Sequence, residues 1–134
     1  MDLTYSPEEE AFRAEVRDWM EANVPASPLP SFDASREGFE AHRDWERRLA
    51  EGRWGMVTWP EEYGGRGLDL MRWLIFEEEY WRAGAPLRVN QNGIFLLGPT
   101  LMEFGTPEQK ARFLPKMAAG DEIWAQAWSE PQAG

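Results

Sequence analysis

The sequence predicts an all-α domain of about five helices, followed by the first strand of a β domain that the chain does not complete. Three observations predict it. Helix-start signatures recur at Ser6-Pro7, near Ser35 and at Thr106-Pro107. Between them, apolar residues recur at spacings of three and four. Only at the end does the period change, where Ile123, Ala125, Ala127 and Ser129 alternate with Trp124, Gln126 and Trp128. The boundary falls between a helical part, 1–120, and a strand-bearing part, 121–134.

Ser6-Pro7-Glu8-Glu9 opens the first helix: Ser6 caps, Pro7 fits the first turn, and Glu9 bonds back to the cap. Phe12, Val16, Trp19 and Met20 form its apolar stripe, and Pro25, Pro28 and Pro30 keep the following segment extended. A second helix runs from about Ser35 through Phe39, His42, Trp45 and Leu49 to Gly52. His42 is the only histidine and has no set of ligands at metal-binding spacing, so it reads as a surface or half-buried helix residue. No residue is assigned to a metal.

The centre is rich in turns. Gly55, Gly64, Gly65 and Gly67 lack the strand before them and the Lys-Ser or Lys-Thr after them that a phosphate loop requires, so tight packing and positive φ explain them better. A third helix, Leu68 to Gly84, places Leu70, Trp73, Leu74, Glu77, Tyr80 and Trp81 on or near one face. Consecutive helix positions point about 100° apart, so Glu77, Glu78 and Glu79 cannot converge as an acid–base pair. They read as a charged face with one inward glutamate. Asn90 to Phe104 is the most apolar stretch and predicts a central buried helix kinked near Pro99. Its polar opening, Asn90, Gln91 and Asn92, is placed to sit over a cavity. Thr106-Pro107-Glu108-Gln109 repeats the cap logic for a fifth helix that Gly120 closes.

Composition narrows the function classes. Among 134 residues, 24 acidic and 14 basic side chains give a formal charge of −10, which disfavours nucleic-acid backbones and anionic membrane faces. The absence of cysteine excludes disulfides, thiolate metal sites and a cysteine nucleophile. The acidic N-terminus lacks a signal-peptide pattern, and no apolar run approaches the roughly 20 residues of a membrane span, so the expected location is cytoplasmic. At the alternating end, a Trp-rich strand reads either as ordinary core or, since a strand edge offers backbone amides and carbonyls, as a platform for a flat, imide-edged ligand such as a flavin, and core is the commoner of the two.

Three motifs in one register carry a family resemblance. Trp-Ala-Gln-Ala-Trp-Ser-Glu-Pro-Gln-Ala-Gly at 124–134, Pro-Glu-Glu-Tyr-Gly-Gly-Arg-Gly at 60–67 and Phe-Gly-Thr-Pro-Glu-Gln-Lys-Ala-Arg-Phe-Leu-Pro at 104–115 resemble the acyl-CoA dehydrogenases, in family order. The resemblance implies a helical N-terminal domain over 1–120 and the truncated start of the middle β domain over 121–134. It implies FAD as hydride acceptor, α,β-desaturation of an acyl-CoA, and an electron-transfer flavoprotein as electron acceptor. It also implies a homo- or hetero-tetramer for the full-length form.

Residue by residue, the resemblance assigns Gln126, Trp128 and Ser129 to the isoalloxazine, and Asn92, Gly93 and Leu96 to the walls of the acyl pocket. The family's catalytic glutamate lies far downstream, so no catalytic residue is expected here, and the chain alone is expected to be inactive. The alternative expectation is a free-standing helical interaction module that pairs with a flavoprotein subunit. An unpaired strand bearing Trp124 and Trp128 further suggests that trimming after Gly120 improves solubility.

Overall fold

The computed structural model describes residues 4–127 and 129–132. Its helices are α1 (Pro7–Asn23), α2 (Arg36–Glu51), α3 (Leu70–Arg82), α4 (Gly98–Phe104) and α5 (Pro107–Ala118). A single 3₁₀ turn covers Glu61–Tyr63, and a wider π-helical segment, Asn92–Leu97, leads into α4. Three of the caps are those the sequence announces, and the fourth, Asp69, is not. Ser6 and Thr106 each close a reciprocal capping box, with Glu9 and Gln109 respectively, and Ser35 and Asp69 cap α2 and α3. The third helix therefore begins at Leu70 rather than Leu68, because the Asp69 carboxylate takes the Arg72 amide.

Two apolar clusters make the core. The first joins α1, α2 and α3 through Phe12, Val16, Met20, Trp45, Leu49, Ile75, Phe76 and Tyr80, with Trp54 and Val57 from the central turns. Trp54 is 1% exposed and stacks on Phe76 with ring centroids 5.8 Å apart, while the Arg66 guanidinium lies over the indole. The second cluster joins Met56, Trp59, Ile94, Leu114, Met117 and Ala118, and links the π-helical segment to α5. The central turns serve both clusters, and a Cβ on Gly65 would stand 2.1 Å from the Trp59 carbonyl oxygen. Gly64, at φ +95°, ends the 3₁₀ turn in the left-handed region.

The structure departs from the sequence expectations at four further places. First, α3 buries Ile75, Phe76, Glu79 and Tyr80, while Leu70, Leu74 and Trp81 are 73%, 46% and 58% exposed. The helix carries two apolar stripes, and the one that meets Trp54 turns inward. Second, Asn90 to Phe104 is not buried all round: Ile94 is 2% exposed, but Phe95, Leu96 and Phe104 face outward. The break precedes Pro99. The Gly98 amide bonds to the Gly93 carbonyl five residues back, and the Thr100 hydroxyl donates to the Leu96 carbonyl at 2.8 Å. The wider turn accommodates a ring that would otherwise crowd the carbonyl four residues earlier.

Third, His42 is buried, with Nδ1 donating to the Gly38 carbonyl at 2.9 Å and the ring edge-on to Phe32. Fourth, the stretch from Ile123 forms no strand among the described residues, with only an isolated bridge at Glu130. A ladder requires a second strand, and the described residues supply none. Trp124 instead packs on the helices: it is half-buried beside the second cluster, edge-on to Phe113 at 5.5 Å.

Candidate functional site

A cleft of about 500 Å³ opens between the π-helical segment and the stretch after α5, lined by Asn92, Leu96, Leu97, Thr100, Trp124, Ala125 and Gln126. Asn92 and Leu96 come from the expected pocket wall, and Gln126 from the expected cofactor contacts. The fold thus brings together side chains that the sequence separates by some thirty positions. Leu96 is 53% exposed into this space because the wide turn before Pro99 rotates it away from the core. Volume and lining suit an organic ligand: mostly apolar walls with a few amides and a hydroxyl.

The remaining expected residues are placed differently. Gly93 is buried and does not line the cleft; a Cβ there would stand 2.4 Å from Asn90 Oδ1 and 3.2 Å from Met117 Cγ. It acts through packing, letting the π-helical segment lie close to α5. Ser129 is exposed and stands apart from the cleft lining. Trp128 lies outside the described residues.

Beneath the cleft lies a polar network that the sequence reading missed. Asn90 is completely buried. Its amide N–H donates to Glu46 Oε1 at 3.1 Å, its Nδ2 donates to the Met117 carbonyl at 3.0 Å, and its Oδ1 accepts the Trp124 amide at 3.1 Å. Its carbonyl accepts the Ile94 amide at 2.9 Å. Glu46, itself buried, is held by Arg88 through both carboxylate oxygens at 2.7–3.0 Å, and Arg88 also donates to the Gly55 carbonyl. Burial would push the Arg88 guanidinium down, but Glu46 outweighs it and holds it above the usual range. A signal was available in the sequence: an asparagine among apolar residues must find partners if it is buried.

A groove of about 560 Å³ lies elsewhere, between Arg47, Arg53, Tyr63 and Pro115. It touches none of the expected site residues, and its arginines are engaged: Arg47 with Asp44 and Asp121, Arg53 with Glu61. The cleft at Asn92 and Gln126 is therefore the candidate site.

Comparison with known proteins agrees with the family resemblance. Residues 6–121 match the family model described as acyl-CoA dehydrogenase, N-terminal domain. The chain is 46% identical over 132 residues to acyl-CoA dehydrogenase IpdE1 of Mycolicibacterium smegmatis, which covers 95% of this chain and 34% of that protein. Among solved structures, it is similar to the ChsE4-ChsE5 complex from Mycobacterium tuberculosis, with TM-score 0.77, 36% identity, and coverage of 100% of this chain and 33% of that one. It is also similar to the Tcur3481-Tcur3483 steroid ACAD, with TM-score 0.77, 33% identity, and coverage of 100% and 34%. The chain spans about a third of the length of the relatives it matches. Among the described residues, no helix is long and apolar enough to cross a membrane.

Proposed function

The chain belongs to the acyl-CoA dehydrogenase family, as its N-terminal helical domain, and from that premise we propose that it supplies one wall of the flavin and acyl site of a desaturating enzyme. The observation that carries the reading is the shared cleft. Asn92 and Leu96 line one side and Gln126 the other, so an acyl chain on the first would lie against a cofactor on the second. The residues present fit FAD on one side only: Gln126 is an exposed amide with both donor and acceptor, beside Ala125 and the half-buried Trp124. When bound, FAD supplies the acceptor for the hydride leaving the acyl β carbon.

In this reading Gln126 meets the isoalloxazine edge from the cleft, and the proposed contacts of Trp128 and Ser129 with the cofactor lie beyond the cleft lining. Asn92 and Leu96 shape the acyl pocket, and Gly93 lets that wall pack. This chain positions the ligands and excludes water. The glutamate that takes the α proton lies in the rest of the enzyme, and the electrons pass on to an electron-transfer flavoprotein. The expected setting is cytoplasmic, with an acyl-CoA as substrate. The relative described as a steroid ACAD supports a bulky acyl group, and the relative solved as a ChsE4-ChsE5 complex supports a hetero-oligomer.

The exposed stripe of α3 fits the same picture. Leu70, Leu74 and Trp81 are exposed together with Trp73, whose ring lies 6.3 Å from that of Phe95 on the π-helical segment. An apolar face of this extent marks a surface that another body covers. That body is the remaining two-thirds of the enzyme, or a partner subunit if the chain works as a free-standing interaction module.

The test is flavin bleaching by acyl-CoA. The 134 residues alone are expected to give none, and clear turnover by them would sink the reading. In the whole flavin-loaded enzyme, Gln126→Ala is expected to weaken FAD retention, and unchanged retention would remove Gln126 from the site.

A further inference from the structure

We propose that Asn90 is a positioning residue that ties the two walls of the cleft together and sets where the cofactor-contacting segment lies. The inference rests on the function proposed above for that cleft, and goes beyond it by naming what fixes its geometry.

The segment 123–127 belongs to no helix and no ladder, so no repeating bond pattern fixes its register. Trp124 anchors it twice, through its amide to Asn90 Oδ1 and through its ring to Phe113. The other wall starts from the same residue, because the Asn90 carbonyl accepts the Ile94 amide where the π-helical segment begins. One residue therefore spaces Asn92 and Leu96 from Trp124 and Gln126.

The chemistry at this point requires an asparagine. The side chain must accept from Trp124 and donate to Met117 at the same time, in a fully buried place. Aspartate keeps the acceptor and, as the ionised carboxylate, loses the donor. Leucine has a similar volume and loses both. The backbone of Asn90 is held independently by Glu46, whose carboxylate is fixed by Arg88, so substituting the side chain leaves the main-chain anchor in place. A Cβ on Gly93 would stand 2.4 Å from Oδ1, so the glycine leaves the room that the Asn90 side chain occupies. The chain of contacts thus runs from the interior of α2 to the segment that meets the ligand.

The experiment compares wild type, Asn90→Leu and Asn90→Asp in the whole flavin-loaded enzyme, by amide hydrogen exchange of the 122–127 peptide and by visible flavin absorption. Loss of one amide hydrogen bond corresponds to roughly fivefold to tenfold faster local exchange. Asn90→Leu is expected to show that acceleration at 122–127 with α1 still protected, together with a shifted flavin band. Asn90→Asp, which retains the acceptor, is expected to stay near wild type at 122–127 even where its melting temperature falls. Unchanged 122–127 exchange in Asn90→Leu overturns the proposal. So does equal loss of protection at 122–127 and α1 in both variants, which is the mark of general destabilisation. A wild-type protein that carries no flavin refutes the function proposed above, and the exchange comparison still decides the role of Asn90.

Discussion

Arg13 Nη1 donates to Glu79 Oε1 at 2.9 Å across the seam between α1 and α3, joining residues 66 positions apart. Both side chains are almost fully buried, at 9% and 2% exposure. Glu79 also accepts from Arg17 and Arg82, and Arg13 reaches Glu78 as well. Glu79 is thus the inward member of the three-glutamate run. Removing it strands the Arg13 charge at the helix seam. Glu79→Leu is expected to cost roughly 3 kcal/mol, at the low end for breaking a buried pair because Glu78 remains. Arg82→Ala, which removes an exposed arm, is expected to cost under about 1 kcal/mol. Urea denaturation of both variants checks this, and equal midpoints would show that the seam rests on its apolar contacts alone.

The neighbouring carboxylates respond to pH in opposite senses. Burial acts to raise Glu79, but hydrogen bonds from Arg17 and Arg13 outweigh it and hold the carboxyl below its usual range. Its contribution to stability is present above the unfolded value of about 4.3 and is lost as pH falls through the folded one. Glu77 is raised by burial, against the opposing pull of Arg88 and hydrogen bonds from Trp81 and Trp73. An acid raised by folding binds its proton more tightly when folded. Its cost to stability is full above the folded value and absent below the unfolded one. Glu77→Gln is therefore expected to raise the melting temperature at pH 7, with the gain fading toward pH 4. A gain that grows on acidification would reverse the assignment.

These two glutamates also show what the sequence could and could not carry. Helix starts were legible because a cap is a local device: Ser6 with Glu9 and Thr106 with Gln109 satisfy each other within one turn. The inward glutamate was legible as a type, since three consecutive helix positions cannot all face water equally, but not as Glu79, because Arg13 and Arg17 lie more than sixty residues away. The inward stripe of α3 is not legible for the same reason. Two apolar stripes exist, and only the location of Trp54 decides between them. At the candidate site, Asn92 and Leu96 belong to the apolar stretch after Asn90 and Gln126 to the motif at 124–134, and tertiary structure alone puts them on one cleft.

Trimming the chain after Gly120 is expected to destabilise it, against the solubility gain that an unpaired strand would imply. The cut removes Trp124 from Phe113 and leaves Asn90 Oδ1 buried without its donor. An orphaned buried acceptor costs roughly 1–3 kcal/mol. Thermal melts of the 1–120 and 1–134 chains compare the two. An unchanged or higher melting temperature for the shorter chain would mean that the Trp124 contacts contribute nothing net.

Leu96 permits a test of the cleft that stability does not confound. Its side chain already faces the open space, so Leu96→Trp is expected to change stability by under about 0.5 kcal/mol. The larger ring occupies room that a ligand between Asn92 and Gln126 would use. In the whole flavin-loaded enzyme, kcat/KM for bulky acyl-CoAs is expected to fall by a factor of about ten or more, consistent with the roughly 1–3 kcal/mol that shape discrimination in an apolar pocket provides. Short acyl-CoAs, which do not extend into the blocked space, are expected to lose far less. The informative quantity is the ratio of the two substrates' kcat/KM values. A uniform loss for both would indicate displaced cofactor rather than a narrowed acyl pocket, and no loss for either would place the acyl chain outside this cleft.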